Sequence, residues 1–165
     1  MQKENLSGFN TTVQNVEKRY EWINDMIRSR QRLVVEYMEL VRLDPAAATP
    51  ATGSAVVSFC EHLIDYISHG HFDLYPKILT LIENASGRSL SIAHRVLPRI
   101  DKTTEFLMRF NDRYAEDPES VNLSSLKQDL SAVGKCLEQR FKNEDRLIIG
   151  LRLVHTIVAT PEIAK

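Results

Sequence analysis

The sequence predicts an all-α protein, an antiparallel helical bundle of about five helices built on a long first and a long last helix and kinked near Gly70. Apolar residues recur at steps of three and four through most of the chain, which is the period of an amphipathic helix. No stretch shows the alternation typical of a β-strand. The 165 residues are the length of one ordinary domain, so we expect a single bundle over residues 1–165.

The first helix is predicted by an apolar stripe that is interrupted once, at Arg30. The members of this stripe are Val13, Val16, Tyr20, Ile23, Ile27, Val34, Met38 and Val41. The segment LDPAAATPATGS, residues 43–54, follows this helix. Its prolines and glycine stop a helix, and its small side chains cannot form a core. We therefore expect a flexible connection between helices over residues 43–54.

Two shorter helices are predicted on either side of Gly70, where we expect the chain to break or kink. The face of the second helix is formed by Val56, Cys60, Leu63, Ile64 and Ile67. The third helix carries Phe72, Tyr75, Ile78, Leu79 and Ile82. It ends before Gly87, a residue type suited to the left-handed conformation found after a helix.

The fourth helix is predicted from about Ser89 to Tyr114, with Pro98 either kinking it or marking its true start. The last helix runs from about Ser124 to Val158 and again has one interrupted stripe, with the gap at Glu144. The stripe is Leu126, Leu130, Val133, Leu137, Phe141, Ile148, Leu151 and Ile157.

Net charge, cysteine content and the length of apolar runs limit the classes of protein to which this chain can belong. The net charge of −1 argues against a nonspecific nucleic-acid binder, which carries a strong positive excess. Cys60 and Cys136 are far apart and form no CxxC motif, as expected in a reducing compartment. The N-terminus lacks the apolar core of a signal peptide, and no apolar run reaches the roughly 20 residues that span a bilayer. We expect a soluble cytoplasmic protein without membrane association.

The charges at Arg30 and Glu144 interrupt the apolar stripes of the two longest helices. A charge facing a bundle core is costly unless it is paired. Three interpretations remain open: the two residues pair with each other or with a neighbour, each stripe rolls so that the charge reaches solvent, or the charges line a polar binding pocket.

The segment FCEHLIDYISHGHF, residues 59–72, concentrates polar chemistry in fourteen residues. A di-iron bundle would need Glu-x-x-His motifs, and none of the five histidines has a glutamate three residues before it. His69 and His71 are two residues apart, so a helix would point them in different directions. No nucleophile elbow or phosphate-binding loop is present. We therefore expect no metal, no cofactor and no enzymatic activity.

The same segment has the composition of a protein-binding edge. Asp65, Ser68 and Phe72 fit one side of the helix near Gly70, and Glu61 adds a second carboxylate. An exposed aromatic residue beside a carboxylate is typical of a protein interface. The alternative interpretation is an ordinary solvated helix face.

Three blocks of the sequence resemble the regulator of sigma D family, the Rsd/AlgQ anti-sigma factors. The central block is Phe59-Cys60, then Leu63 to Ser68, then Gly70-His71-Phe72 and Tyr75. A second block, LEQRFKNEDRLI over residues 137–148, resembles the family's motif L-E-x-R-F-x-x-E-D-x-L-I. The third block runs from Arg30 to Val41. The family often has D-R-W-L near the start of its first long helix, where this chain has Asn24 to Ile27, and residues 43–54 and 83–122 show no clear match.

The resemblance implies an all-α bundle that binds the primary sigma factor of bacterial RNA polymerase through its C-terminal promoter-recognising domain, region four, in a one-to-one complex. It implies that positions matching Asp65, Ser68 and Phe72 belong to the sigma-binding surface. It also implies an interior role for Arg30 and Glu144, and no enzymatic activity.

Two other classes of function remain as alternatives. One is a bundle that binds a metal or a small ligand, and the other is a helical adaptor for a partner other than sigma.

Overall fold

A computed structural model describes residues 2–43, 49–84, 87–116 and 123–158, and the side chains described within them are those of 21–43, 49, 51–84, 87–116 and 124–152. The elements are α1 (Gln2–Arg42), α2 (Pro50–His69), a π-helical turn (Gly70–Leu74), α3 (Tyr75–Glu83), α4 (Gly87–Tyr114) and α5 (Leu123–Val158). The described part of the chain contains no strand. The predicted all-α bundle is confirmed.

The number of separate rods is four, because α2, the π-helical turn and α3 follow one another without a gap. The helix therefore continues past Gly70 in a wider turn, in which the N–H of Tyr75 bonds to the carbonyl of Gly70. α1 packs on α2 and α5, α2 also packs on α4, and α3 packs on α4 and α5. The most extensive contact joins α4 and α5. Pro98 lies inside α4, which continues through it.

The connection between α1 and α2 is shorter than predicted. Residues 50–54 belong to α2, so the expected flexible connection over 43–54 is wrong at its C-terminal end, while residues 44–48 lie outside the described residues. Pro50 begins the helix because the first turn needs no N–H donor at that position. The backbone N–H of Thr49 donates to Thr52 Oγ1 at 3.4 Å, which satisfies a free donor at the helix start.

The buried face of α1 lies to one side of the predicted stripe. Val34, Met38 and Val41 are exposed, whereas Met26, Leu33 and Leu40 are buried. Both sets have helical spacing, so periodicity did not distinguish them. The core that α1 joins includes Phe59 and Leu63 of α2, Ile100 and Leu107 of α4, and Val133 and Leu137 of α5.

No helix in the described part of the chain is long and apolar enough to cross a bilayer.

Candidate functional site

The outer face of α2 and the π-helical turn carry the four residues assigned to a protein-binding edge. Glu61 and Asp65 are exposed and Ser68 is partly exposed. Phe72 keeps 86% of its surface accessible, which is an unusual position for an aromatic ring that would gain from burial. We call these four residues the α2 outer face.

The charges around Phe72 differ in their degree of neutralisation. Asp73 pairs with Lys77 at 2.7 Å and with His69 at 3.6 Å. The hydrogen bond from Lys77 is the main reason why the pKa of Asp73 is lowered. Among the described residues, no ion pair is found for Glu61 or Asp65. Their carboxylates are therefore free to meet cations from another molecule.

The inner side of the same rod faces a buried polar network centred on Glu144. Arg30 Nη2 lies 3.0 Å from Glu144 Oε2, and the hydroxyl of Tyr66 donates to the same oxygen. Tyr75 Oη donates to Oε1 at 2.6 Å, and Arg140 Nε donates to Oε1 at 3.0 Å. Glu144 is 2% exposed, and its two oxygens accept from four donors. This pattern satisfies the hydrogen-bonding capacity of a buried carboxylate.

Arg140 extends the network to α4. Its side chain is 0% exposed, and Nη1 donates to Thr103 Oγ1 at 3.1 Å and to Thr104 Oγ1 at 2.8 Å. Nη2 donates to Tyr75 Oη at 2.8 Å. The hydroxyl of Thr104 also contacts His71 Nε2 at 2.8 Å, which joins the π-helical turn to α4.

The charges in and beside the network balance. Arg30 and Arg140 carry two positive charges, and Glu144 carries one negative charge. Asp145, half-exposed at the edge of the bundle, supplies the second carboxylate, 2.7 Å from Arg30 Nη1. Arg30 also lies 4.7 Å from the ring centre of Phe141, a cation–π contact that favours a partly desolvated guanidinium.

Burial and the adjacent Glu144 raise the pKa of Tyr66 and Tyr75 far above the usual value for tyrosine. Both phenols are therefore protonated at neutral pH and act as hydrogen-bond donors to the carboxylate. The pKa of Arg30 is raised although burial opposes this, because Tyr66, Asp145 and Glu144 favour its charged form. Tyr66, Tyr75 and Arg30 therefore all act as hydrogen-bond donors to the carboxylates of the network.

Gly70 is required by the approach of Tyr75. A Cβ atom at Gly70 would lie 2.8 Å from Tyr75 Oη and 2.9 Å from Tyr75 Cζ. The tyrosine ring can reach Glu144 because residue 70 has no side chain. The π-helical turn thus presents Phe72 to solvent while it directs Tyr75 into the core.

Sequence reasoning found Arg30 and Glu144 but missed Tyr66, Tyr75, Thr103 and Arg140. A signal for Arg140 was present: it precedes Glu144 by four residues, so the two share a helix face. The predicted apolar stripe passes through the adjacent Phe141, so Arg140 was not assigned to the core. No spacing rule pointed to the two tyrosines, since their hydroxyl partners lie on other helices.

Metal and thiol chemistry receive no support from the described residues. No group of three or more His, Cys, Asp and Glu side chains there is arranged to hold a metal ion. Cys60 and Cys136 are free thiols, and burial raises their pKa values to about 12 and about 11. His62 is partly buried and bridges Glu36, 2.7 Å from Nδ1, and Arg32.

Comparison with known proteins gives a consistent result. A family model described as "Regulator of RNA polymerase sigma(70) subunit, Rsd/AlgQ" matches residues 5–152. A protein from Yersinia enterocolitica named "Regulator of sigma D" is 32% identical over 146 residues, covering 87% of each chain. A protein of the same name from Pectobacterium carotovorum is 34% identical over 136 residues, covering 81% of this chain and 87% of its own. A third, from Yersinia pestis, is 30% identical over 146 residues.

Proposed function

The chain belongs to the Rsd/AlgQ family of regulators of the RNA polymerase sigma(70) subunit, and from this membership we propose that it is an anti-sigma factor. It binds the primary sigma factor through region four, the C-terminal promoter-recognising domain, in a one-to-one complex. The α2 outer face is the contact surface. The protein acts in the cytoplasm by binding and has no catalytic role.

The observation that carries the choice of surface is the exposure of Phe72, at 86%, on the same face as the unpaired carboxylate of Asp65. An aromatic ring of this kind gains most when a partner covers it, and such rings dominate the binding energy of many interfaces. Ser68 lies between the two in the sequence and offers a hydroxyl that can donate or accept a hydrogen bond.

The charge of this surface suits the proposed partner. A promoter-recognising domain of the helix-turn-helix type carries basic residues that contact DNA phosphates. Asp65 and Glu61 can pair with those residues, and Phe72 can pack against an adjacent apolar contact. A protein bound there excludes promoter DNA and the polymerase surface that holds the same domain. Sigma is then withheld, and transcription from its promoters falls.

The interior network supports this role by holding α2 in place. Tyr66 neighbours Asp65 in the chain but points inward to Glu144, and Tyr75 fixes the other side of the π-helical turn. A surface fixed before binding loses less conformational entropy when it binds.

The test is calorimetric titration of the full chain with the isolated sigma region four at physiological salt. We expect saturable one-to-one binding that weakens about tenfold or more in Phe72→Ala and more modestly in Asp65→Ala. Ile149→Ala and Asp112→Ala are the matched controls, because both residues are exposed on other helices. Unchanged affinity in Phe72→Ala would refute the assigned surface, and absence of binding to a folded sigma domain would refute the function.

The alternative of a metal-binding bundle is tested on the same preparation by elemental analysis. A stoichiometric transition metal in the purified protein would favour it over the anti-sigma proposal. An adaptor for another partner would instead be indicated if sigma region four failed to bind while the protein was folded and free of metal.

A further inference from the structure

A cavity of about 660 Å³ opens between α4 and α5. Neither helix carries a residue of the α2 outer face, so this cavity is independent of the sigma-binding surface proposed above. Its volume is within the range of small-molecule sites, about 300–1,000 Å³. Its lining is mixed rather than apolar, with two arginines and two lysines at the rim.

The four cations are Arg99 and Lys102 on α4 and Lys142 and Arg146 on α5. Lys142 pairs with Glu138 at 2.6 Å. For the other three, no ion pair is found among the described residues. The cavity thus collects positive charge in a chain whose net charge is −1. A concave site lined by one sign of charge attracts ligands of the opposite sign.

The contacts of Thr103, which lines the cavity, define how α4 and α5 lie along it. Arg140 donates to Thr103 Oγ1 at 3.1 Å, and Cys136 Sγ lies 3.6 Å from the carbonyl oxygen of Thr103. These contacts place residue 103 opposite residues 136–140 on the antiparallel α5. In that register the cations cluster towards Arg146. Phe106 lies one turn of α4 beyond Thr103, at the other end of the cavity.

We propose that this cavity binds a nucleotide, with its phosphate groups held by Arg99, Lys102 and Arg146 and its base against the ring of Phe106. Arginine and lysine give short, charge-assisted hydrogen bonds to phosphate oxygens. An aromatic ring stacks on any base because every base has a π-face. A small molecule with a charged and a planar end matches both ends of the cavity, whereas free phosphate would use only one.

The first experiment titrates the full chain with ADP by calorimetry at physiological salt and without divalent metal. We expect saturable binding that weakens about tenfold or more in the double variant Lys102→Gln/Arg146→Gln. The control is Lys127→Gln/Lys135→Gln, which removes the same charge from exposed positions outside the cavity and should change affinity less than about twofold. All four side chains are exposed, so both double variants should keep the circular dichroism and urea midpoint of the parent.

The second experiment separates the base from the phosphates. Pyrophosphate should bind more weakly than ADP, and Phe106→Leu should weaken ADP binding but leave pyrophosphate binding unchanged. No saturable ADP binding at millimolar concentration would overturn the proposal, as would an equal loss in the two double variants, which would indicate nonspecific charge attraction. Pyrophosphate and ADP of equal affinity would overturn the assignment to a nucleotide. Tighter binding of an oligonucleotide, weakened equally in both double variants, would overturn it in favour of nucleic acid.

Discussion

Arg30 and Glu144 are 114 residues apart in the chain, and their side chains form a salt bridge of 3.0 Å inside the bundle. The pair joins α1 to α5, two helices that otherwise contact each other little. Each residue is the one charge in the apolar stripe predicted for its helix, and the ion pair offsets the cost of burying both charges.

Removal of Glu144 should destabilise the protein strongly, because the buried Arg140 and the partly buried Arg30 would lose their shared carboxylate. We expect Glu144→Leu to lower the free energy of unfolding by about 3–5 kcal/mol. The loss should be smaller in the Arg30→Met background, where one stranded charge is absent. Urea unfolding of the four proteins of this double-mutant cycle measures the difference. Additive losses would show that the two residues are not coupled.

The hydroxyl of Tyr75 should contribute more to stability than that of Tyr37. Tyr75 donates to Glu144 and accepts from Arg140, whereas Tyr37 makes one neutral bond of 2.9 Å to the carbonyl oxygen of Leu130. We expect Tyr75→Phe to cost about 2–4 kcal/mol and Tyr37→Phe about 0.5–1.5 kcal/mol. Thermal or urea unfolding gives both values. Equal losses would mean that the charged partners add nothing.

A methyl group at position 70 should be poorly tolerated. Gly70→Ala would force the ring of Tyr75 away from Glu144 and Arg140, and we expect a loss of about 1–3 kcal/mol from overpacking. Gly87→Ala is the control, since no atom lies within 4 Å of the Cβ position there. It should leave stability unchanged or raise it slightly. If Gly70→Ala were as stable as the parent, the close approach of Tyr75 would not constrain the turn.

Stability should fall in mildly acidic solution in a way that depends on His71. Burial and the charge of Arg140 lower the pKa of His71 below its ordinary value of 6.5, against weaker opposing effects of Asp101 and Glu144. The unfolded chain therefore takes up a proton at a higher pH than the folded protein does. Stability is fully present above about pH 6.5 and declines as the pH falls towards the lower folded pKa.

Urea midpoints at pH 7.5, 6.5 and 5.5 test this dependence. We expect His71→Gln to reduce the decline between the first and last of these values. His94→Gln, on the exposed side of α4, is the matched control and should retain it. The same decline in His71→Gln and in the parent would assign the effect to other groups.

The two principal residues of the α2 outer face should affect sigma binding through different rates. Asp65→Ala should mainly slow association and reduce its dependence on salt, because an exposed charge steers the encounter. Phe72→Ala should mainly speed dissociation, because it removes an aromatic ring that the partner covers in the complex. Stopped-flow or surface-based kinetics at two salt concentrations separate the two effects. A dissociation rate unchanged by Phe72→Ala would contradict its role as an anchor.

The sequence predicted the helices better than it predicted their faces. In α1 the alternative stripe through Leu33, Tyr37 and Leu40 has the same period as the predicted one through Val34, Met38 and Val41. Both include Ile23 and pass through Arg30. The choice between them depends on where Arg30 must lie to reach Glu144, and that depends on the position of α5. Periodicity along one helix contains no information about its neighbours.

The residues of the candidate site also differ in whether the sequence could predict them. The α2 outer face could be listed from the sequence because its residues are local and lie within one helical segment. The rest of the network beyond Arg30 and Glu144 could not, since Tyr66 and Tyr75 meet Arg140 only after two rods have packed. The π-helical turn was also missed: glycine signalled an irregularity at position 70, but nothing local indicated whether the chain would break or widen.

The π-helical turn also changes the rotational phase of the rod that contains it. Tyr66 and Tyr75 are nine residues apart, and in a regular α-helix of 3.6 residues per turn they would project about 180° apart. One extra residue in the turn removes the rotation of a single residue and leaves them about 80° apart. Both hydroxyls can then meet the carboxylate of Glu144 from adjacent directions. The same offset turns α3 towards α5 while α2 remains against α1. One continuous rod therefore packs against α1 through its first part and against α5 through its last part.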